Sequence, residues 1–123
     1  MLSASHNRAY QDFITLLTKF AAITAEAQAK NVIPQIQREF LELKNWFEQN
    51  IVQLGDRQIE AELVSRWQSV QTEIRREFKL LSTDILFLAT SRQPETQQKR
   101  LESINSHLSK LIGYCQIMLP NSD

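Results

Sequence analysis

The sequence predicts an all-α protein: a single-domain, antiparallel, up-down-up-down four-helix bundle with a long third helix. Three observations carry that expectation. Apolar residues recur at intervals of three and four along most of the chain, the period of a helix with one dry face. Glycine is used twice and proline three times in 123 residues, and all of these but Gly113 fall at the edges of periodic stretches. The intervals between stretches are short, which makes antiparallel neighbours the default arrangement.

The first stretch runs from about Ser3 to Ala29. Ser3 or Ser5 is suited to capping its start, because a serine hydroxyl accepts from first-turn amides. Tyr10, Phe13, Ile14, Leu17, Phe20 and Ala21 form its stripe, widened by Leu16 and Ile23. "AKNVIPQ" breaks the pattern, with Asn31 as an N-cap and Pro34 in a first turn, where its missing N–H has no intrahelical partner to lose. The second stretch places Ile33, Ile36, Phe40, Leu43, Phe47, Ile51 and Leu54 on a near-heptad seam. Gly55 is expected to stop it through a left-handed C-terminal residue, and Asp56 to cap the third stretch. That stretch runs unbroken from about Arg57 to Arg92 along Leu63, Trp67, Val70, Ile74, Phe78, Leu81, Ile85 and Leu88. At 1.5 Å per residue it would span roughly 50 Å. Pro94 ends it by pushing the preceding residue out of helical geometry and opens the fourth stretch, Pro94 to Leu119, with Glu95 in the first turn. Leu101, Ile104, Leu108, Leu111, Cys115 and Met118 form its seam, and Pro120 closes it. Gly113 reads as a point of close packing against a neighbouring helix.

Composition narrows the function classes. Fourteen basic and fourteen acidic residues give zero formal charge, so no global field draws in nucleic acid or anionic lipid. The single cysteine allows no internal disulfide and suits a reducing, cytoplasmic setting. No apolar run approaches the roughly 18 residues that span a bilayer, so no membrane insertion is expected, and the polar start "MLSASHNRAY" lacks the pattern of a signal peptide.

The stretch "TDILFLATSRQPE" asks what its dry surface touches. Ile85 and Leu88 belong to the seam. Leu80 and Phe87, seven residues apart, share a flank, and Leu86 points nearly opposite the seam. Either the first helix is displaced to cover Phe87, or Leu86, Phe87 and Leu80 meet another protein or a second copy in a homodimer. Trp46, one residue off its seam, either widens the core stripe or serves as an aromatic contact. Two basic groups, Arg75 with Arg76 and Lys79, and Arg92 with Lys99 and Arg100, read as solvated faces or as docking points for an acidic peptide.

Catalytic chemistry is sparse, so no enzyme, metal or cofactor is expected. No Gly-rich phosphate loop is present, and His6, His107 and Cys115 form no local ligand motif. Glu73–Glu77 is a helical carboxylate pair, but a di-metal bundle wants Glu-x-x-His on two helices. Cys115 falls on the apolar seam, the place of an inert thiol. "HLSK", His107 to Lys110, is similar to the motif of histidine phosphotransfer domains, four-helix bundles with an exposed His and a Lys three residues on. Those domains follow the Lys with a small residue, whereas Leu111 and Ile112 follow here. A solvated surface histidine is the expectation, with phosphotransfer through His107 as the alternative function.

The stretch "RWQSVQTEIRREFKLLSTDILFLATSRQPETQQKRL" (residues 66–101), with "YQDFITLL" before it and "LIGYCQIML" after it, resembles the PatD family of heterocyst frequency control proteins of filamentous cyanobacteria. The resemblance spans nearly the whole chain. It lies in texture and in the "SRQP" junction rather than in a catalytic signature. It implies a regulator that limits heterocyst number and that binds the tubulin-like division protein FtsZ and affects its assembly. No family motif assigns contact residues here.

Overall fold

The computed structural model describes residues 4–26, 33–57 and 59–119. Among them are four helices and no strand: α1 (Ala4–Ala25), α2 (Ile33–Asn50), α3 (Ala61–Thr90) and α4 (Pro94–Met118). Each helix packs on the next, and α1 closes the ring against α4, with no close backbone approach across either diagonal. Side-chain pairs give the directions. Phe13 meets Phe47 while Phe20 meets Phe40, so α1 and α2 run oppositely. Glu77 meets His107 while Asp84 meets Arg100, so α3 and α4 do too. This is the up-down-up-down four-helix bundle that the spacing predicts.

The four sides of the ring are not alike. The backbones of α3 and α4, and of α1 and α4, approach closely; α2 stands further from both its neighbours. The side chains explain the difference. The interior of α4 is Leu101, Ile104, Leu108, Leu111 and Cys115, aliphatic or small. The α2 side is filled by rings. Phe78 of α3 stacks on Phe47 with centroids 3.9 Å apart and on Phe40 at 5.4 Å, and Phe13 of α1 lies 5.3 Å from Phe47. Offset and tilted ring pairs contribute about 0.5–1.5 kcal/mol each beyond their buried area. They also hold the helix out by the width of a ring. Trp46 is half-buried and lies 5.8 Å from Phe13, so it widens the core stripe.

Several boundaries differ from the sequence expectation. Helix α2 ends at Asn50, before Gly55, and residues 51–53 form turns. The amides of Ile51 and Val52 both donate to the Phe47 carbonyl, at 2.9 and 3.1 Å, so Val52 reaches back five residues rather than four and the helical ladder stops. The carbonyls that follow find donors on α3: Gln71 Nε2 donates to Ile51 O at 2.8 Å, beside the Leu54 amide, and Arg75 to Val52 O at 2.9 Å. Gly55 does not adopt the left-handed backbone expected of it. Asp56 does not cap α3, which starts at Ala61, behind the buried Ile59. With 30 residues, α3 is about 45 Å long and still the longest helix. Ser5 sits inside the first turn of α1 rather than at its cap. A Cβ at Gly113 would meet nothing within 4 Å, so close packing does not explain that glycine. The expectations for Ser3, Ala29, Asn31 and Pro120 lie outside the described residues.

Candidate functional site

The seam between α3 and α4 carries a row of polar side chains that the apolar period conceals. Glu77 and Asp84, seven residues apart on α3, are buried. Facing them on α4 are Arg100, Ser103 and His107. His107 Nδ1 contacts Glu77 Oε1, and His107 Nε2 lies 3.0 Å from Asp84 Oδ2. Ser103 Oγ donates to the same Asp84 oxygen. Arg100 Nη1 donates to Asp84 Oδ1 at 3.0 Å, while its guanidinium carbon lies 4.8 Å from the centre of the Phe87 ring. A carboxylate can only accept. Both imidazole contacts are therefore hydrogen bonds when both ring nitrogens carry protons, and His107 and Arg100 then balance Glu77 and Asp84 charge for charge. The row thus gives both buried carboxylates polar partners on α4, as buried polar groups require.

His107 is accordingly not the solvated surface residue expected. Its side chain is only 14% exposed, and each nitrogen faces a carboxylate. A phosphotransfer histidine needs a nitrogen open to the donor, and neither is open here. Ser103 lies 3.4 Å from His107 Nε2, which mimics part of a nucleophile–base pair. Its hydroxyl instead hydrogen-bonds Asp84, so it is not poised against a substrate. Among the described residues no three His, Cys, Asp or Glu side chains are arranged to hold a metal ion. Cys115 is fully buried, and burial pushes its thiol up to about 12, which denies it the thiolate that nucleophilic chemistry uses.

A second polar group lies toward the other end of α3. Tyr10 donates to Gln71 Oε1 and accepts from Trp67 Nε1, both at 2.8 Å, and His6 Nε2 lies 2.8 Å from Gly55 O. Together with the bonds from Gln71 and Arg75 to the end of α2, this group ties the 51–55 turn to α1 and α3. Arg75 is therefore occupied in holding the turn.

The outward face of α3 is the remaining candidate. Leu86 is 63% exposed, Phe87 43% and Leu80 40%. The first helix does not cover Phe87; the Arg100 guanidinium partly does. Arg76 pairs at the surface with Glu73 at 3.4 Å, and Lys79, Arg92 and Lys99 are exposed. The two basic groups expected from sequence are divided by the fold: Arg75 and Arg100 engage buried or backbone partners, and the others point to solvent. Between residues 75 and 94 the only carboxylates are Glu77 and Asp84, and both are inside. A chain with zero formal charge therefore presents, along the second half of α3, apolar and basic side chains with no exposed acid.

Asp84 and Ser103 were not singled out from sequence, and Glu77 only as half of a helical carboxylate pair with Glu73, although a signal for the row exists. Each member of the row directly precedes an apolar seam residue: Glu77 before Phe78, Asp84 before Ile85, Arg100 before Leu101, Ser103 before Ile104, His107 before Leu108. On antiparallel neighbours the same flank of each helix meets, so a polar stripe one step ahead of both seams marks a polar interface between them. No family model, no curated protein and no solved structure matches this chain.

Proposed function

We propose that this chain is a non-catalytic helical regulator that acts by binding another protein through the outward face of α3. Following its resemblance to the PatD family, the partner is FtsZ, whose assembly it modulates, with a role in limiting heterocyst number. The observation that supports protein binding is the exposed stretch from Arg75 to Thr90, which offers Leu80, Leu86 and Phe87 beside Arg76 and Lys79 and no accessible carboxylate. Solvent-exposed aromatic and leucine side chains recover about 1.5–3 kcal/mol each when fully buried by a partner. The side chains with catalytic potential, Ser103, His107, Glu77 and Asp84, saturate one another in the α3/α4 seam, which favours binding over turnover.

The test is co-sedimentation with FtsZ polymerised in GTP. The chain is expected in the pellet with filaments and in the supernatant without them. A chain that stays in the supernatant at every filament concentration removes FtsZ as the partner. Labelling by a phosphorylated response regulator tests the phosphotransfer alternative; no transfer to His107 is expected.

A further inference from the structure

We infer that the groove between α1 and α2 is a self-association face, closed by a second copy of this chain related by a twofold axis parallel to the helices. The inference stands apart from the protein-binding reading of α3, because α3 and α4 form the opposite side of the ring.

The packing of the bundle opens the groove. Ring side chains hold α2 away from α1, and the gap between them that reaches the surface has a volume of about 510 Å³. Leu16 and Ile23 of α1 and Trp46 of α2, all half-buried, line its walls over the buried Phe20 and Leu43. Its two rims carry opposite charge: Lys19 on α1, and Glu39 and Glu42, about one turn apart, on α2. Lys19 and Glu42 are exposed and Glu39 is half-buried, and among the described residues none of the three is in an ion pair. The ring contacts set their heights. Phe20 meets Phe40, so Lys19 and Glu39, each one residue earlier on antiparallel helices, stand within about 3 Å of the same height across the groove. Glu42 lies just beyond them, toward the contact between Phe13 and Phe47.

The opposite rims select the occupant. A partner of one sign suits one rim and is repelled by the other. A twofold axis along the groove turns α1 of one copy over α2 of the other and leaves every residue at its own height. Lys19 of each copy then faces Glu39 and Glu42 of the other, and the pairing occurs twice. A twofold axis across the groove instead sets α1 on α1 and α2 on α2, which puts acidic rim against acidic rim. In the first arrangement, helices that meet across the contact run oppositely, as neighbours do within each chain. Leu16, Ile23 and Trp46 of both copies then fill a second four-helix core between the chains. The face is roughly 27 Å long, from the 18 residues of α2, and about 20 Å wide, so it offers on the order of 500 Å² per copy. That is the small end of specific interfaces, so the dimer is expected to be reversible and to dissociate on dilution.

Sedimentation equilibrium of the full-length chain, from about 1 µM to about 500 µM, tests the inference. The mass is expected to rise with concentration from one chain to two and no further. Lys19→Glu sets acid against acid in a twofold pair, and Glu39→Lys/Glu42→Lys sets base against base. Each variant is expected to keep its helical circular dichroism and to raise the dimer dissociation constant about tenfold or more. In an equimolar mixture of the two variants every rim meets its opposite, and the dimer is expected to return. Mixing cannot repair a contact within one chain, so recovery assigns the pairing to separate chains. Leu86→Glu, on α3, is expected to dimerise like the parent. A mass of one chain at every concentration, dimer formation indifferent to both rim variants, a mixture no more dimeric than its components, or a dimer lost in Leu86→Glu would each overturn the inference.

Discussion

Asp84 accepts from Arg100, Ser103 and His107, and it is the residue whose loss leaves the most groups unpaired. Asp84→Ala is expected to cost about 1–3 kcal/mol in chemical denaturation, because it leaves Ser103, His107 and the half-buried Arg100 without their shared acceptor. Replacing Glu77 and His107 together by leucine removes donor and acceptor at once and is expected to cost far less, near zero. Equal losses in the two experiments would mean that the row contributes through packing alone. Cys115 and Tyr10 carry a different expectation. Burial pushes both up, the thiol from 9.0 to about 12 and the phenol upward from 10.0. Folding favours the protonated form of each, so their contribution is complete below the unfolded values and falls as pH rises through the folded ones. Stability is expected to decline between about pH 9 and 12. Cys115→Ala should show a shallower decline over that window, and the native thiol should react with a thiol-specific chromogen only after unfolding. At this scale the sequence was partly legible. The inert place of Cys115 follows from its seam position. The burial of His107 does not, because a histidine one step off a seam faces water on a lone helix and a carboxylate only when a second helix supplies one.

Helix existence and order were legible because few breakers interrupt the 3.6-residue period. Helix ends were not, and the reason is tertiary. The period of α2 continues through Ile51 to Leu54, but Gln71 and Arg75 take the carbonyls of Ile51 and Val52 from another helix and bend the chain there. No local pattern encodes a partner twenty residues away. Tyr10→Phe tests this arrangement. It removes the hydroxyl that joins Trp67 to Gln71 and is expected to cost about 1–3 kcal/mol, the penalty for buried polar groups left unsatisfied. Amide exchange in residues 51–56 should accelerate with it. Unchanged exchange there would mean that the turn holds itself. Within the apolar seam, Ile74→Ala is expected to cost about 2–5 kcal/mol, since Ile74 is fully buried and its cavity cannot drain to the surface.

Across the whole molecule, formal charge is a poor guide to the surface. Fourteen acidic and fourteen basic residues cancel by count, yet two acids are withdrawn into the α3/α4 seam on the same stretch that keeps Arg76, Lys79 and Arg92 outside. That asymmetry could not be seen from composition, because it depends on which charges find partners indoors. Leu86, by contrast, was placed on the outer face by helical rotation alone, and it lies there, 63% exposed. Leu86→Glu is expected to leave the melting temperature nearly unchanged, as surface substitutions do. Light scattering on parent and variant tests the homodimer. A dimeric parent that becomes monomeric on Leu86→Glu would support self-association through this face, and a monomeric parent would leave the face to another protein.

The ring-filled gap beneath α2 also bears on the order in which the bundle assembles. Helices α3 and α4 are joined by only residues 91–93, so closing that hairpin costs little chain entropy, and close backbone packing rewards it early. Docking α2 requires several large rings to interleave, a step that pays only once the others are in place. A folding transition state built on α3 and α4, with α2 still loose, follows from that difference. Leu108→Ala should then slow refolding, whereas Phe47→Leu should mainly speed unfolding. Chevron plots with the two effects exchanged would place α2 in the nucleus.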